Sequence, residues 1–203
     1  IYSCDIREKT ESKLSCHFPD PSLNIAFDDD KFELGKQLFY DPIFSKDSSL
    51  SCASCHKQDI AFSDSRPKSI GINGDIGKRN SMPLQNLIWQ SSYFRDGGVG
   101  NLDLAALNPI ENHLELNESI LHIAEKINRT NDYKNLTKRC FQKDTISHRD
   151  ILEALTQFQI QLISDKSKFD NYLLGKERLN KNELVGYKLF QRKCGSCHKG
   201  VLQ

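Results

Sequence analysis

One five-residue pattern occurs twice in this chain. Cys52-Ala53-Ser54-Cys55-His56 and Cys194-Gly195-Ser196-Cys197-His198 share the form Cys-x-x-Cys-His, about 140 residues apart. Each is preceded by the same kind of segment: Leu34-Gly-Lys-Gln-Leu-Phe39 before the first, Val185-Gly-Tyr-Lys-Leu-Phe190 before the second. A repeat of this kind predicts two related modules. In each, a short amphipathic helix with an early glycine and a Leu-Phe end leads into the cysteine motif. The first copy carries about nine extra residues between the two parts.

The spacing has a chemical reason. Two thiols three positions apart can bond the two vinyl-derived carbons of one haem, and the adjacent histidine then supplies an axial nitrogen to the iron. Two Cys-x-x-Cys pairs could instead share one zinc ion. The histidine attached to both copies and their wide separation argue against that. A thioredoxin-like redox pair lacks its strand–helix context. The motifs therefore point to two covalently bound haem c groups, held by Cys52, Cys55 and His56 and by Cys194, Cys197 and His198. Haem c attachment implies export, so a periplasmic or other extracytoplasmic location is expected. The sixth iron position decides function, because a closed iron suits electron transfer and an open one suits peroxide chemistry. Met82, the one methionine, precedes a proline and reads as packing. Of the other histidines, His17, His113, His122 and His148, His113 lies best for an active site because Glu115 is close by.

Composition narrows the partners. Across 203 residues, 28 Lys and Arg balance 27 Asp and Glu. A nucleic-acid partner would leave a basic excess, so none is expected. No apolar run reaches the roughly 18 residues that span a bilayer. The remaining cysteines, Cys4, Cys16 and Cys140, show no disulfide spacing. Ile1-Tyr2-Ser3-Cys4 resembles the end of a lipoprotein signal, which would make Cys4 a lipid anchor, although Tyr2 fits poorly.

The polar stretch 1–30 reads as an irregular leader, with Asp30 or a neighbour capping a helix over 31–40 that ends at Asp41-Pro42. Helices are also expected over 117–128, capped by Asn117, over 148–163 and over 180–191. The glycine-rich connection 57–101 is expected to wrap a cofactor. Strand content should be low.

Ordered blocks along residues 31–203 resemble the bacterial di-haem cytochrome c peroxidase and MauG family. They include Leu34-Gly35 to Asp41-Pro42 and the first haem motif with Ala61-Phe62-Ser63-Asp64. Gly77-Lys78-Arg79-Asn80, Tyr93-Phe94-Arg95-Asp96-Gly97-Gly98 and Asn108-Pro109-Ile110 with Leu114-Glu115 follow, and Phe169 to Leu173 precede the second motif. The resemblance implies a peroxidatic haem on His56 and an electron-transfer haem on His198. It matches Glu115 to the distal acid that carries a proton for peroxide, and Asn80 to a calcium ligand between domains. The sequence also departs from the family. Arg95 stands where a tryptophan is usual, Ala105 replaces a distal glutamine, and Leu116 replaces a methionine. Ile72 stands where some members carry a histidine that closes the resting haem.

The expected fold is all-α, two cytochrome c-like haem domains with long loops, the second truncated at the C-terminus. Residues 1–30 form the leader, 31–145 the N-terminal peroxidatic domain, and 146–203 the start of the electron-transfer domain. The implied function is reduction of hydrogen peroxide with electrons from a small cytochrome c or cupredoxin. A MauG-like oxidase of a protein substrate and a non-enzymatic di-haem electron carrier or sensor are the alternatives. A homodimer is implied by the resemblance alone.

Overall fold

The computed structural model describes residues 17–198. Cys4, the expected lipid anchor, lies outside them. The chain divides into two compact units. Ser22–Leu162 form one, and the described part of the other is residues 17–21 and 163–198. The described residues hold helices, short 3-10 turns and isolated bridges, with no extended strand. Among them, no helix is long and apolar enough to cross a membrane.

In the larger unit α1 spans Asp29–Tyr40. Its cap is Asp28, whose carboxylate accepts the Lys31 N–H at 3.0 Å and satisfies a donor that the first turn leaves free. Asp41 ends the helix, and Pro42 forbids its continuation. Next come α2 (Cys52–Cys55), α3 (Leu102–Ala105), α4 (Leu107–Glu111), α5 (Ile120–Asn128), α6 (Lys134–Phe141) and α7 (His148–Ile160). Ile120, Ile123, Ala124 and Ile127 are the buried face of α5. That helix starts three residues later than expected, because Asn117 takes a left-handed φ of 48° and cannot serve as its cap.

α7 is the centre of the core. Ser147 and Asp150 cap it reciprocally, and almost all of its residues from Asp150 to Ile160 are buried. Asp150, Gln157 and Gln159 have partners that explain their burial, whereas the buried Thr156 hydroxyl has none. Gln157 donates to Ala26 O at 2.8 Å and accepts the Asp28 N–H at 3.0 Å, so it pins the segment leading into α1. α1 lies directly on α7. A Cβ at Gly35 would stand 1.9 Å from Ala154 O, so only glycine permits this approach. Phe39, Phe62 and Phe158 pack beside it with ring centroids 4.9–6.0 Å apart.

The smaller unit holds α8 (Lys168–Leu173) and α9 (Lys181–Lys193). Each starts with a capping box, Ser167 with Asp170 and Asn180 with Glu183. His17 Nε2 lies 3.0 Å from the buried Asp170 carboxylate. Phe169, Tyr172 and Tyr187 cluster between the two helices.

The repeat is visible in the geometry of both motifs. His56 N–H donates to Cys52 O, and His198 N–H donates to Cys194 O, each at 2.9 Å. Phe39 faces His56 at 6.4 Å and 49°, and Phe190 faces His198 at 6.1 Å and 52°. The matching sequence segments therefore fold into matching turns, each backed by its own phenylalanine.

Candidate haem and peroxide site

A cavity of about 450 Å³ lies within the larger unit. Cys52, Cys55 and His56 line it, and so does Glu115. Much of the remaining wall comes from the connection 57–101, which contributes Ser69, Gly71, the run 77–84 and residues 93–95. A low-periodicity segment of that length thus has a definite task, which is to enclose the cavity.

His56 is oriented by two carbonyls. Its Nδ1 lies 2.8 Å from Phe62 O and 3.1 Å from Met82 O. Only a protonated Nδ1 can donate to carbonyls, so Nε2 keeps its lone pair for a metal. Burial pulls the imidazole pKa down, against the pull of the two carbonyls, and this favours the neutral, ligating form. The Phe62 carbonyl is aimed by a tight turn in which Ala61 and Phe62 both take left-handed φ, 62° and 56°. Two consecutive non-glycine residues in that region cost energy, so the surrounding fold must hold them there. Met82 contributes that backbone carbonyl and also lines the cavity.

Glu115 enters the lining from the segment that follows α4. Pro109 sits in the first turn of α4, where its missing N–H costs nothing. Its carbonyl accepts the Leu116 N–H at 3.2 Å. The Asn112 amide donates to Glu115 Oε1 at 2.7 Å, and its oxygen accepts the Leu114 N–H. Gly71 lies against this turn: a Cβ there would be 2.1 Å from Leu114 O, and the next residue, Ile72, donates its N–H to Glu115 O at 3.0 Å. Burial raises the Glu115 carboxyl above its ordinary pKa, and the Asn112 bond partly opposes the rise. Asn112 and Gly71 had no sequence signal of their own, since their role depends on a loop closing over a turn.

The pH profile follows from this pair. A base works only when ionised, so activity that uses Glu115 as a base is lost as pH falls through its pKa. Asn112→Leu removes the bond that holds the pKa down. The acid limb of kcat/KM should therefore move to higher pH, and Asn112→Asp, which replaces the donor with a second carboxylate, should move it at least as far. A pH–rate profile of both variants reads this directly.

The other sequence candidates separate clearly. Ala105, Leu116, Arg95 and Tyr93 line the cavity, whereas Ile72 and Trp89 are buried elsewhere. His113 is outside the lining, and His122 binds Glu118 at 3.0 Å. His56 is the only histidine among the lining residues. Asn80 also lines the cavity. In the smaller unit Cys194 and Cys197 are exposed thiols, and His198 is exposed beside them.

These residues fit a haem c. Two thiols and one imidazole line one cavity, both cysteines are free thiols, and the imidazole has one ring nitrogen left for iron. Burial pushes the Cys52 thiol up to about 12. A zinc thiolate site needs three or four gathered ligands, and no such group of His, Cys, Asp or Glu exists among the described residues.

A family model described as di-haem cytochrome c peroxidase matches residues 29–178. The chain belongs to the di-haem cytochrome c peroxidase family. It is 37% identical over 174 residues to the cytochrome c551 peroxidase of Nitrosomonas europaea, covering 84% of this chain and 52% of that protein. It is 32% identical over 184 residues to the methylamine utilization protein MauG of Methylorubrum extorquens, covering 89% and 52%. A crystal structure of a MauG-like protein associated with microbial copper homeostasis superposes with a TM-score of 0.86 at 29% identity, covering 94% of this chain and 58% of that one. The chain spans about half the length of the curated relatives it matches. Membership in the di-haem family implies haem c as cofactor.

Proposed function

We propose that the protein reduces hydrogen peroxide to water at a haem held by Cys52, Cys55 and His56. The observation that carries this reading is the presence of Glu115 in the same cavity as that ligand set. Haem iron bound there would supply the oxygen-binding site and the electrons. The chain's own residues handle the rest. Glu115 would take a proton from one oxygen of hydrogen peroxide and return it to the other, which leaves as water. Two electrons and two further protons convert the remaining oxygen to a second water. Asn112 keeps the carboxylate in place between these transfers. Phe62 and Met82 keep the imidazole turned toward the metal.

In this reading residues 31–145 hold the peroxidatic site and 146–203 begin the electron-transfer module, whose haem on His198 receives electrons from a small cytochrome c or cupredoxin. The protein works outside the cytoplasm, where haem c is attached, and Cys4 would tether it to a membrane. Asn80 offers one amide oxygen to calcium, and a homodimer is the expected assembly. A non-enzymatic di-haem electron carrier or sensor is the second reading, kept open by Arg95 in the cavity wall in place of the family's usual tryptophan and by Ala105 in place of the distal glutamine; a MauG-like oxidation of a protein substrate is the third.

The test is peroxide-dependent oxidation of a reduced small cytochrome c by the haem-loaded protein carrying any natural sequence beyond Gln203. Steady turnover consuming two donor electrons per peroxide is expected. Peroxide consumption that leaves the donor reduced while modifying an added protein would favour the MauG-like reading. No consumption with both haems intact would favour an electron carrier.

A further inference from the structure

Asn80 faces two backbone carbonyls at once. Its Nδ2 lies 2.8 Å from Asp64 O and 2.6 Å from Arg66 O. Only the amide nitrogen can donate to two carbonyls, so the orientation of the side chain is fixed by chemistry. The same two segments are joined twice more. Asp64 N–H donates to Ser81 O at 3.3 Å, and the Ser69 and Ser81 hydroxyls pair at 2.6 Å. Within the first segment, Arg66 grips the fully buried Asp64 carboxylate through two nitrogens. That segment begins two residues after Phe62, and the other ends at Met82. The Phe62 and Met82 carbonyls are the two that share the His56 Nδ1–H.

We infer that Asn80 is a positioning residue for His56: its amide sets the separation of the two loops whose carbonyls orient the imidazole. The inference rests on reading His56 as the iron ligand. Hydrogen bonding at Nδ1 strengthens the electron donation of the ligating nitrogen and so favours ferric iron. Asn80→Ala frees the 80–82 segment and leaves two carbonyls unpaired. The Nδ1 bonds then lengthen, donation falls, and the ferrous form gains. Losing a bond of ordinary strength changes a ratio by about fivefold.

The experiment is a redox titration of the haem-loaded protein, with resonance Raman spectra of its reduced form. Wild type, Asn80→Ala and Asn80→Asp are compared with calcium saturating and with calcium chelated. In both variants and both conditions the ferrous-to-ferric ratio of the His56 haem at fixed potential should rise by about fivefold. Its iron–histidine stretch should fall, and the His198 haem should stay unchanged as the internal reference. Asn80→Asp keeps an oxygen for a cation but presents only acceptors to the two carbonyls, so a native potential in that variant would overturn the inference in favour of cation ligation. Equal shifts of both haems, or no shift with haem attached at Cys52 and Cys55, would also overturn it. If Asn80→Ala fails to load haem, Ser81→Ala decides, with a smaller shift in the same direction expected and no shift contradicting. A wild-type chain with no haem on Cys52 and Cys55 would instead overturn the His56 reading on which the inference stands.

Discussion

Glu115→Gln should lower peroxide turnover by a factor of about 10²–10⁴, the usual worth of a positioned proton carrier. Glutamine keeps the size of the side chain and can still pair with Asn112, so the cavity should keep its shape. What disappears is the ability to take a proton and give it back. The haem absorbance spectrum and the haem content should match those of wild type, which separates a chemical loss from a folding loss. Donor oxidation within about threefold of wild type would mean that another group carries the proton. Because burial raises the carboxyl of Glu115, its titration should appear in the wild-type pH profile above the range of an exposed glutamate. In the variant that limb should vanish.

Gly35→Ala should destabilise the larger unit by about 3 kcal/mol and lower its unfolding midpoint by roughly 10 °C. The added Cβ would stand 1.9 Å from Ala154 O and 2.6 Å from its carbonyl carbon, and backbone of a buried helix cannot step aside as a flexible side chain can. α1 must therefore lift from α7, which loosens Phe39 and Phe158 and the ring cluster behind His56. Gly186 is the matching residue of the second repeat, and nothing in the described structure lies within 4 Å of a Cβ built there. Gly186→Ala should therefore leave the unfolding of the larger unit unchanged. Thermal unfolding followed by circular dichroism at helix wavelengths compares the two variants. A Gly35→Ala midpoint within about 2 °C of wild type would contradict the close helix contact.

Much of this architecture is written in residue identity. The two Cys-x-x-Cys-His motifs and the Leu-Phe segments before them could be seen in the sequence, and their paired geometry, Phe39 on His56 and Phe190 on His198, follows the repeat. The apolar faces of α5 and α7 were legible because helical period and burial coincide. Caps were less so. Asp28, Ser147 and Asn180 obey the preferences for helix starts, but Asn117, equally suitable by type, adopts a left-handed turn instead. α6 and α8 gave no clear period, since α6 buries only Thr137 and α8 only Asp170. The long apolar stripe of 148–163 showed that one face of α7 is buried, and the fold shows that α7 packs on α1 inside the larger unit, where Gly35 makes room for it. A stripe states that a face must be buried and does not state against what.

The site divides in the same way. Its chemical groups are side chains with a recognisable type and spacing: Cys52, Cys55, His56 and Glu115. Its supports are backbone carbonyls, a glycine and two asparagine amides. Any residue has a carbonyl to offer His56, so Phe62 and Met82 carry no signal until the strained turn at Ala61 and the stitching by Asn80 bring them together. Asn112 differs from other loop asparagines only in lying 2.7 Å from Glu115.

The central claim is that peroxide reacts at the His56 haem with Glu115 as the proton carrier. It is tested most directly by rapid mixing of the haem-loaded, reduced protein with one equivalent of hydrogen peroxide. Absorbance of the haem attached at Cys52 and Cys55 is followed in wild type and in Glu115→Gln. The prediction is an immediate change at that haem in wild type, two electrons consumed per peroxide, and a much slower change in the variant. A His56 haem that stays spectroscopically silent toward peroxide, with both haems intact, would contradict it.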